Sequence, residues 1–257
     1  MLRLITLAIL LALSWAAERK DWGPYVTRNA YNFVEVLNAT NFDDSIYGNL
    51  KASLVQFTDS SYASARKYAP VFRDLAKRLW DWDSVLQFVT VDCFKEINVA
   101  LCIRFQVRRV PTLRFFEAYA NRQENVGKDI GPLAPDEVRE KLADLIAKHK
   151  YLPIGHFNLD PISNVMQLRT LLRSGQTTIL VYQPQQSKLG RNIMLEFLRW
   201  PVQVRIVSDP LLAAKVGIDP VYYKVAVISR KGEVVNLNEN SKRLKAALRK
   251  LNVKSEE

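Results

Sequence analysis

The stretch that decides the fold is Leu86-Gln87-Phe88-Val89-Thr90-Val91-Asp92-Cys93, followed shortly by Val110-Pro111-Thr112-Leu113-Arg114-Phe115-Phe116. Val85 to Val91 is apolar enough to be a strand buried on both faces, the pattern of a sheet covered by helices. A short helix holding Val99 and Leu101 leads to Arg108-Arg109-Val110-Pro111-Thr112, and Leu113 to Phe116 is the next strand.

Upstream, Ser53 to Phe57 reads as a strand, and Tyr68, Val71, Phe72, Leu75 and Leu79 follow on one helical face. Downstream, Pro135 opens a helix with Asp136 and Glu137 in its first turn and Lys148 to Lys150 at its end, as the helix dipole favours. Val138, Leu142, Leu145 and Ile146 form its inner face. Pro153, Gly155 and Pro161 then mark a linker.

The second half repeats this order. Thr178 to Tyr182 is a strand, Leu189 to Leu198 a helix, Val202 to Val207 a strand and Pro210 to Val216 a short helix. Val225 to Ile228 and Glu233 to Leu237 suggest a hairpin turning at Lys231-Gly232. Ser241 to Leu251 closes the chain as a helix with Leu244, Leu248 and Leu251 on one face. Alternating strands and helices give an α/β fold with mixed central sheets flanked by helices.

Composition agrees. Of 257 residues, 48% are hydrophobic and 25% charged, a balance that supports real cores and excludes a disordered chain. Arg3, the apolar run Leu4 to Leu13 and the small residues of Ser14-Trp15-Ala16-Ala17 read as a secretory signal peptide. An uncleaved anchor is the rival reading, though the run is shorter than the roughly 20 residues of a membrane span. No later stretch is apolar enough to cross a bilayer, so no transmembrane anchor is expected. Val253-Lys254-Ser255-Glu256-Glu257 is not a retrieval signal of the Lys-Asp-Glu-Leu kind, so a secreted, Golgi or endoplasmic-reticulum lumenal product is expected.

Cleavage removes one base and no acid, taking the net charge from +11 to +10. That charge can steer acidic partners, but the bases are scattered. Arg108-Arg109 and Lys242-Arg243 are only pairs, so solvated faces are expected and no nucleic-acid partner. The sequon Asn38-Ala39-Thr40 makes Asn38 a glycosylation candidate. The two cysteines, Cys93 and Cys102, suggest one disulfide in an oxidising compartment.

Two segments carry a family resemblance: Leu86 to Cys102 continuing into Val110 to Phe116, and Leu54-Val55-Gln56-Phe57 followed by Arg66-Lys67-Tyr68-Ala69-Pro70. Together they resemble the first thioredoxin domain of the quiescin sulfhydryl oxidases, and Pro161 to Val235 is similar to that family's second. With the signal peptide read at 1–17 and the linker at 151–160, the resemblance implies thioredoxin-like domains at 18–150 and 161–257.

The resemblance also implies a Cys-x-x-Cys at the start of the helix after the first buried strand. Here that motif falls on Tyr62-Ala63-Ser64-Ala65. Exchange needs a thiolate stabilised by the helix N-terminus and a second thiol to resolve the mixed disulfide. Tyr62 is a phenol of pKa about 10, Ala65 offers nothing, and Ser64 has no visible activating base. The family's buried acid behind the motif is replaced by Gln56, which cannot titrate. No catalytic residue is therefore expected at this helix. The chain ends before the family's flavin-binding module would begin, so no cofactor is expected.

Cys93 and Cys102 match a non-catalytic pair of the resembled domain. Closing so short a loop stabilises by roughly 2.5–3 kcal/mol on the chain-entropy account. A regulatory or exchanging pair is the alternative. Zinc is not expected, because His149 and His156 are the only histidines and the spacings form no ligand set. Pro111 matches the thioredoxin cis-proline. Either it belongs to a peptide-binding groove lined by Tyr62, Val110 and Pro111, or it only shapes the turn before a strand. The matching place in the second domain falls on Tyr223, which is not proline. Trp80 and Trp82 read as core and helix-end packing.

The expected function is a non-catalytic thioredoxin-like protein that binds polypeptides or partner proteins in the secretory pathway. The alternatives are a thiol oxidase or disulfide isomerase using Cys93 and Cys102 or a partner subunit, and a structural secreted protein with a glycan-adherent basic surface.

Overall fold

The structure is a computed structural model that describes residues 33–122, 125–131, 134–148, 159–184, 187–219, 221–222 and 224–254. The expected signal peptide, most of the expected linker, His149, His156 and Tyr223 lie outside the described residues.

Two mixed sheets carry the chain. The first contains β1 (Glu35–Leu37), β2 (Ala52–Thr58), β3 (Leu86–Asp92), β4 (Thr112–Phe116) and β5 (Lys128–Asp129), in the order β1-β3-β2-β4-β5. β1 and β2 flank β3 in parallel, whereas β4 and β5 are antiparallel. The second contains β6 (Thr178–Tyr182), β7 (Gln203–Val207), β8 (Val225–Ile228) and β9 (Val234–Leu237), in the order β7-β6-β8-β9. It repeats the order β3-β2-β4-β5, with one parallel pair and two antiparallel ones.

Burial follows strand alternation. On one face of the first sheet, Leu54, Leu86, Phe88, Leu113 and Phe115 pack with Phe72, Leu75 and Leu79 of the helix α2 (Ala63–Arg78) and its end. Val138, Leu142 and Ile146 of α4 (Pro135–Ala147) join the same cluster. On the other face, Val55, Phe57, Val89 and Val91 meet Phe42 and Ile46 of α1 (Phe42–Ile46) and Leu101 of α3 (Val99–Arg104). Leu145, expected on the inner face of α4, is only half-buried. Trp82 is in the core, while Trp80 stays exposed and packs edge-on against Phe33.

In the second half, α6 (Leu189–Glu196) and α8 (Ser241–Lys250) cover one face, and α5 (Val165–Leu172) and α7 (Pro210–Ala214) cover the other. Gly190 lets α6 approach β7 closely. A Cβ there would lie 2.5 Å from Cδ1 of Ile206.

The two halves touch through α4 and α6. Leu195 of α6 joins the core cluster of the first sheet. Beside it, Arg191 is 5% exposed and donates to Glu140 at 2.8 Å and to Asp144. Lys188 donates to Asp144 at 2.9 Å, Arg139 pairs with Glu196 at 3.6 Å, and Lys245 with Asp81 at 3.0 Å. The guanidinium of Arg199 stacks over Trp80 at 4.9 Å. Burial pushes the Asp144 carboxyl up, but Lys188 and Arg191 outweigh it and hold its pKa below the usual value. Removing a charge from such a cluster strands the buried guanidinium, so these contacts favour one seating of the halves.

Among the described residues, no helix is long and apolar enough to cross a membrane.

A second charge cluster ties α1 to α3. Asp43 accepts from Arg104 and pairs with Arg122 at 2.6 Å. The Arg104 hydrogen bond depresses the Asp43 pKa against the opposing pull of burial, and the two positive charges add to it. A carboxyl lowered on folding stabilises above its unfolded pKa, and that stability is lost as pH falls through the folded value. Asp43→Asn is predicted to lower Tm at neutral pH, with the gap to the parent narrowing once pH drops below about 4. Thermal unfolding followed by circular dichroism across pH measures it. A gap independent of pH would contradict the assignment.

Candidate functional site

The carboxyl ends of β1, β2 and β3 and the start of β4 meet at one end of the first sheet, where open α/β sheets commonly place their sites. β2 ends at Thr58 beside Asp92 of β3, and the amide of Cys93 donates to Thr58 C=O at 2.7 Å. Asp92 is 2% exposed, and its Oδ1 accepts from the amides of Ser60 and Phe94, both at 3.1 Å. One carboxylate thus ties the loop leading to α2 to the loop carrying the cysteines.

The loop into α2 is a local turn. The amide and hydroxyl of Ser61 donate to Asp59 at 2.8 and 2.5 Å, and the Tyr62 amide donates to Asp59 C=O at 3.1 Å. Arg66, one turn into the helix, donates to Ser60 C=O at 3.0 Å and Ser61 C=O at 2.6 Å. Tyr62 is the N-cap and makes no side-chain cap. It stands 59% exposed, and Ala63 and Ser64 are exposed beside it. Ala65 is buried under the first turn.

The Ser64 hydroxyl donates to Val110 C=O at 3.4 Å, bringing the start of α2 against the loop before β4. The Val110-Pro111 peptide bond is cis. Val110 is half-buried, Pro111 is buried, and Arg108 and Arg109 are exposed. Gln56 faces the α2 side of the sheet, 2% exposed, and its amide nitrogen has no hydrogen-bond partner.

Cys93 and Cys102 form a disulfide, with Cα atoms 5.9 Å apart and a sequence separation of nine. It pins α3 to the end of β3. With two cysteines in the chain, no free thiol is left over. Asn38 lies half-buried just past β1, and its side chain accepts from the Thr40 amide and hydroxyl at 2.9 and 2.6 Å. Among the described residues, no group of three or more metal-ligating side chains is placed to hold an ion.

Sequence reading missed two features here. Asp92 organises both loops, and its only signal was a carboxylate ending an apolar strand. Phe94 and Ile97 are 63% and 52% exposed, adding apolar surface next to the disulfide.

Comparison with known proteins now fits this geometry. Residues 33–142 match the thioredoxin family. Human sulfhydryl oxidase 2 (Homo sapiens) is 27% identical over 230 residues, covering 85% of this chain and 32% of that protein.

The chain is a thioredoxin-like protein related to the sulfhydryl oxidases.

Sulfhydryl oxidase 2 of Mus musculus is 28% identical over 217 residues, covering 81% of this chain and 31% of that protein. Sulfhydryl oxidase 1 of Gallus gallus is 27% identical over 192 residues, covering 72% and 26%. This thioredoxin-like chain therefore spans about a third or less of the length of these relatives. The crystal structure of ERdj5, form II, superposes with a TM-score of 0.61 at 16% identity, over 84% of this chain and 29% of that one, which shows a shared fold.

If the missing sulfurs alone keep the start of α2 from exchanging disulfides, supplying them should confer it. The double variant Tyr62→Cys with Ala65→Cys is predicted to reduce insulin disulfides in the presence of dithiothreitol, at least about tenfold above the parent chain. A double variant that folds, forms the new disulfide and stays at the parent rate would show that the site differs in more than sulfur.

Proposed function

We propose that this chain holds polypeptide segments in the secretory pathway without exchanging disulfides with them. The observation that carries the reading is the first turn of α2. Exchange needs a thiolate there. Tyr62, Ala63, Ser64 and Ala65 stand in its place, and the chain's two cysteines are bonded to each other. Gln56 beneath the turn brings no proton-transfer group.

What the end of the sheet retains is surface. Tyr62 projects beside the Val110-Pro111 loop, and Phe94 and Ile97 add exposed apolar area nearby. Tyrosine and apolar side chains around a groove suit extended polypeptide, since they bury large area at small entropic cost. Arg108 and Arg109 on the rim favour an acidic segment by charge. We place the two domains at 18–150 and 161–257, with 151–160 as linker. A secretory-pathway location is supported by the Cys93–Cys102 disulfide, which suits an oxidising compartment, and by the relation to sulfhydryl oxidases. Asn38, half-buried in a turn whose Ala39 and Thr40 are exposed, is then a candidate for glycosylation.

The test is binding to a reduced, unfolded polypeptide, for example carboxymethylated α-lactalbumin, by fluorescence anisotropy. Val110→Asp puts a charge into the groove wall and is predicted to weaken binding about tenfold, or ~1.4 kcal/mol, with Tm unchanged within a few degrees. Unchanged affinity in the folded variant would remove the groove from the account. Catalysed thiol oxidation that disappears in Cys93→Ser would replace the reading with a thiol oxidase.

A further inference from the structure

The two sheets differ at one edge. In the first, β1 covers the outer edge of β3, with Glu35 to Leu37 in parallel register against Val89 to Val91. The corresponding edge of the second sheet is β7. There a single residue, Ile162, makes a parallel bridge at Val207, its amide donating to Ile206 C=O at 2.8 Å. Before that bridge, no strand among the described residues pairs with this edge, where β7 ends the sheet.

Beside this edge, β7 and α5 border an open pocket of about 340 Å³ lined by Ile162, Met166, Thr170, Leu171, Gln203 and Arg205. Ile162 is buried, Leu171 is half-buried, and Met166 is 73% exposed with a flexible thioether that can fold onto a guest. The apolar wall therefore comes from α5 and the segment before it. The polar wall comes from β7.

That polar wall is unsatisfied. Nε of Arg205 is enclosed and has no acceptor, and Oε1 of Gln203 is enclosed and has no donor. No carboxylate pairs with Arg205 among the described residues. Buried polar groups are nearly always hydrogen-bonded, because leaving one unpaired forfeits its hydration for nothing. Gln203 and Arg205 are two residues apart on one strand, so both side chains leave the same face of the sheet. A guest that completes the pocket brings an anionic acceptor to Arg205, a donor to Gln203 and an apolar group to Met166 and Leu171.

An N-acylated α-amino acid carries all three on one Cα: a carboxylate, an amide N–H and a side chain. A planar guanidinium matches a carboxylate better than a lysine would. We propose that this pocket binds an N-acyl α-amino carboxylate with an apolar side chain, the chemistry found at the C-terminus of a polypeptide. Arg169 and Arg173, exposed on and just after α5, add positive potential that favours an anion at this face. The site lies on the second sheet and does not depend on the groove at α2.

Isothermal titration of the full chain with acetyl-Ala-Ala-Leu as the free acid, and with the same peptide as its C-terminal amide, tests the proposal. The free acid is expected to bind saturably and the amide at least about tenfold more weakly. Arg205→Gln is expected to lose the preference for the acid while keeping the parent Tm, since it removes an unpaired group. In the parent, the Arg205 Nε–H resonance is expected to shift on addition of the acid, a readout that needs no variant to fold. Acetyl-leucine binding as tightly as the peptide assigns the site to small N-acyl amino acids, and tighter peptide binding assigns it to polypeptide ends. Absence of saturable binding by the free acid, equal binding of acid and amide, or a resonance that does not move would overturn it.

Discussion

Parallel pairing of β2 with β3, Ala52 against Leu86 through Thr58 against Asp92, is the constraint from which the first half of the molecule hangs. Both strands are buried, so their backbone groups must pair with each other or go unsatisfied. The register ends with Thr58 and Asp92 side by side, and the loops leaving them have to start together. Asp92 then bonds both loops, the disulfide pins the second, and α2 begins where the first one turns. The candidate site is the meeting point of these constraints.

What this framework presents is unusual for its fold in one chemical respect. A helix N-terminus favours negative charge, which is how a thioredoxin-type helix lowers a thiol pKa. Here the same helix presents a phenol, a methyl group and a hydroxyl, with Ala65 buried beneath them. The dipole has no thiol to act upon, and what the end of the sheet offers beside it is the surface of Tyr62, Val110, Phe94 and Ile97. In the second half, Oε1 of Gln203 and Nε of Arg205 on the edge strand β7 have no hydrogen-bond partner. Both ends of the proposal are thus matters of what the scaffold leaves uncovered.

Much of the fold was legible because its longest elements carry clean periodicity. Leu54 to Phe57, Val85 to Val91 and Leu113 to Phe116 are apolar runs that only a covered sheet accommodates, and Leu244 and Leu248 mark the closing helix as buried. The order of strands in the second half could likewise be read from Thr178 to Tyr182 and Val225 to Ile228. The three-residue β1, the five-residue α1 and the two-residue β5 are shorter than any pattern can reveal. α5 escaped because it spans only eight residues, and of its apolar face of Val165, Leu168 and Leu171 only Leu168 is fully buried. Missing α5 meant missing the pocket it roofs. At the site, Tyr62 to Ala65, Pro111 and the cysteine pair could be placed from sequence, whereas the tie made by Asp92 depends on strand register and could not.

The most direct test of the central claim distinguishes capture by surface from capture by sulfur. The purified, oxidised protein is mixed with a reduced unfolded polypeptide, quenched in acid to freeze exchange, and separated by non-reducing denaturing electrophoresis with mass spectrometry of any adduct. The account predicts a complex that is present before denaturation and leaves no covalent trace after it. A mixed disulfide accumulating on Cys93 or Cys102 would contradict it.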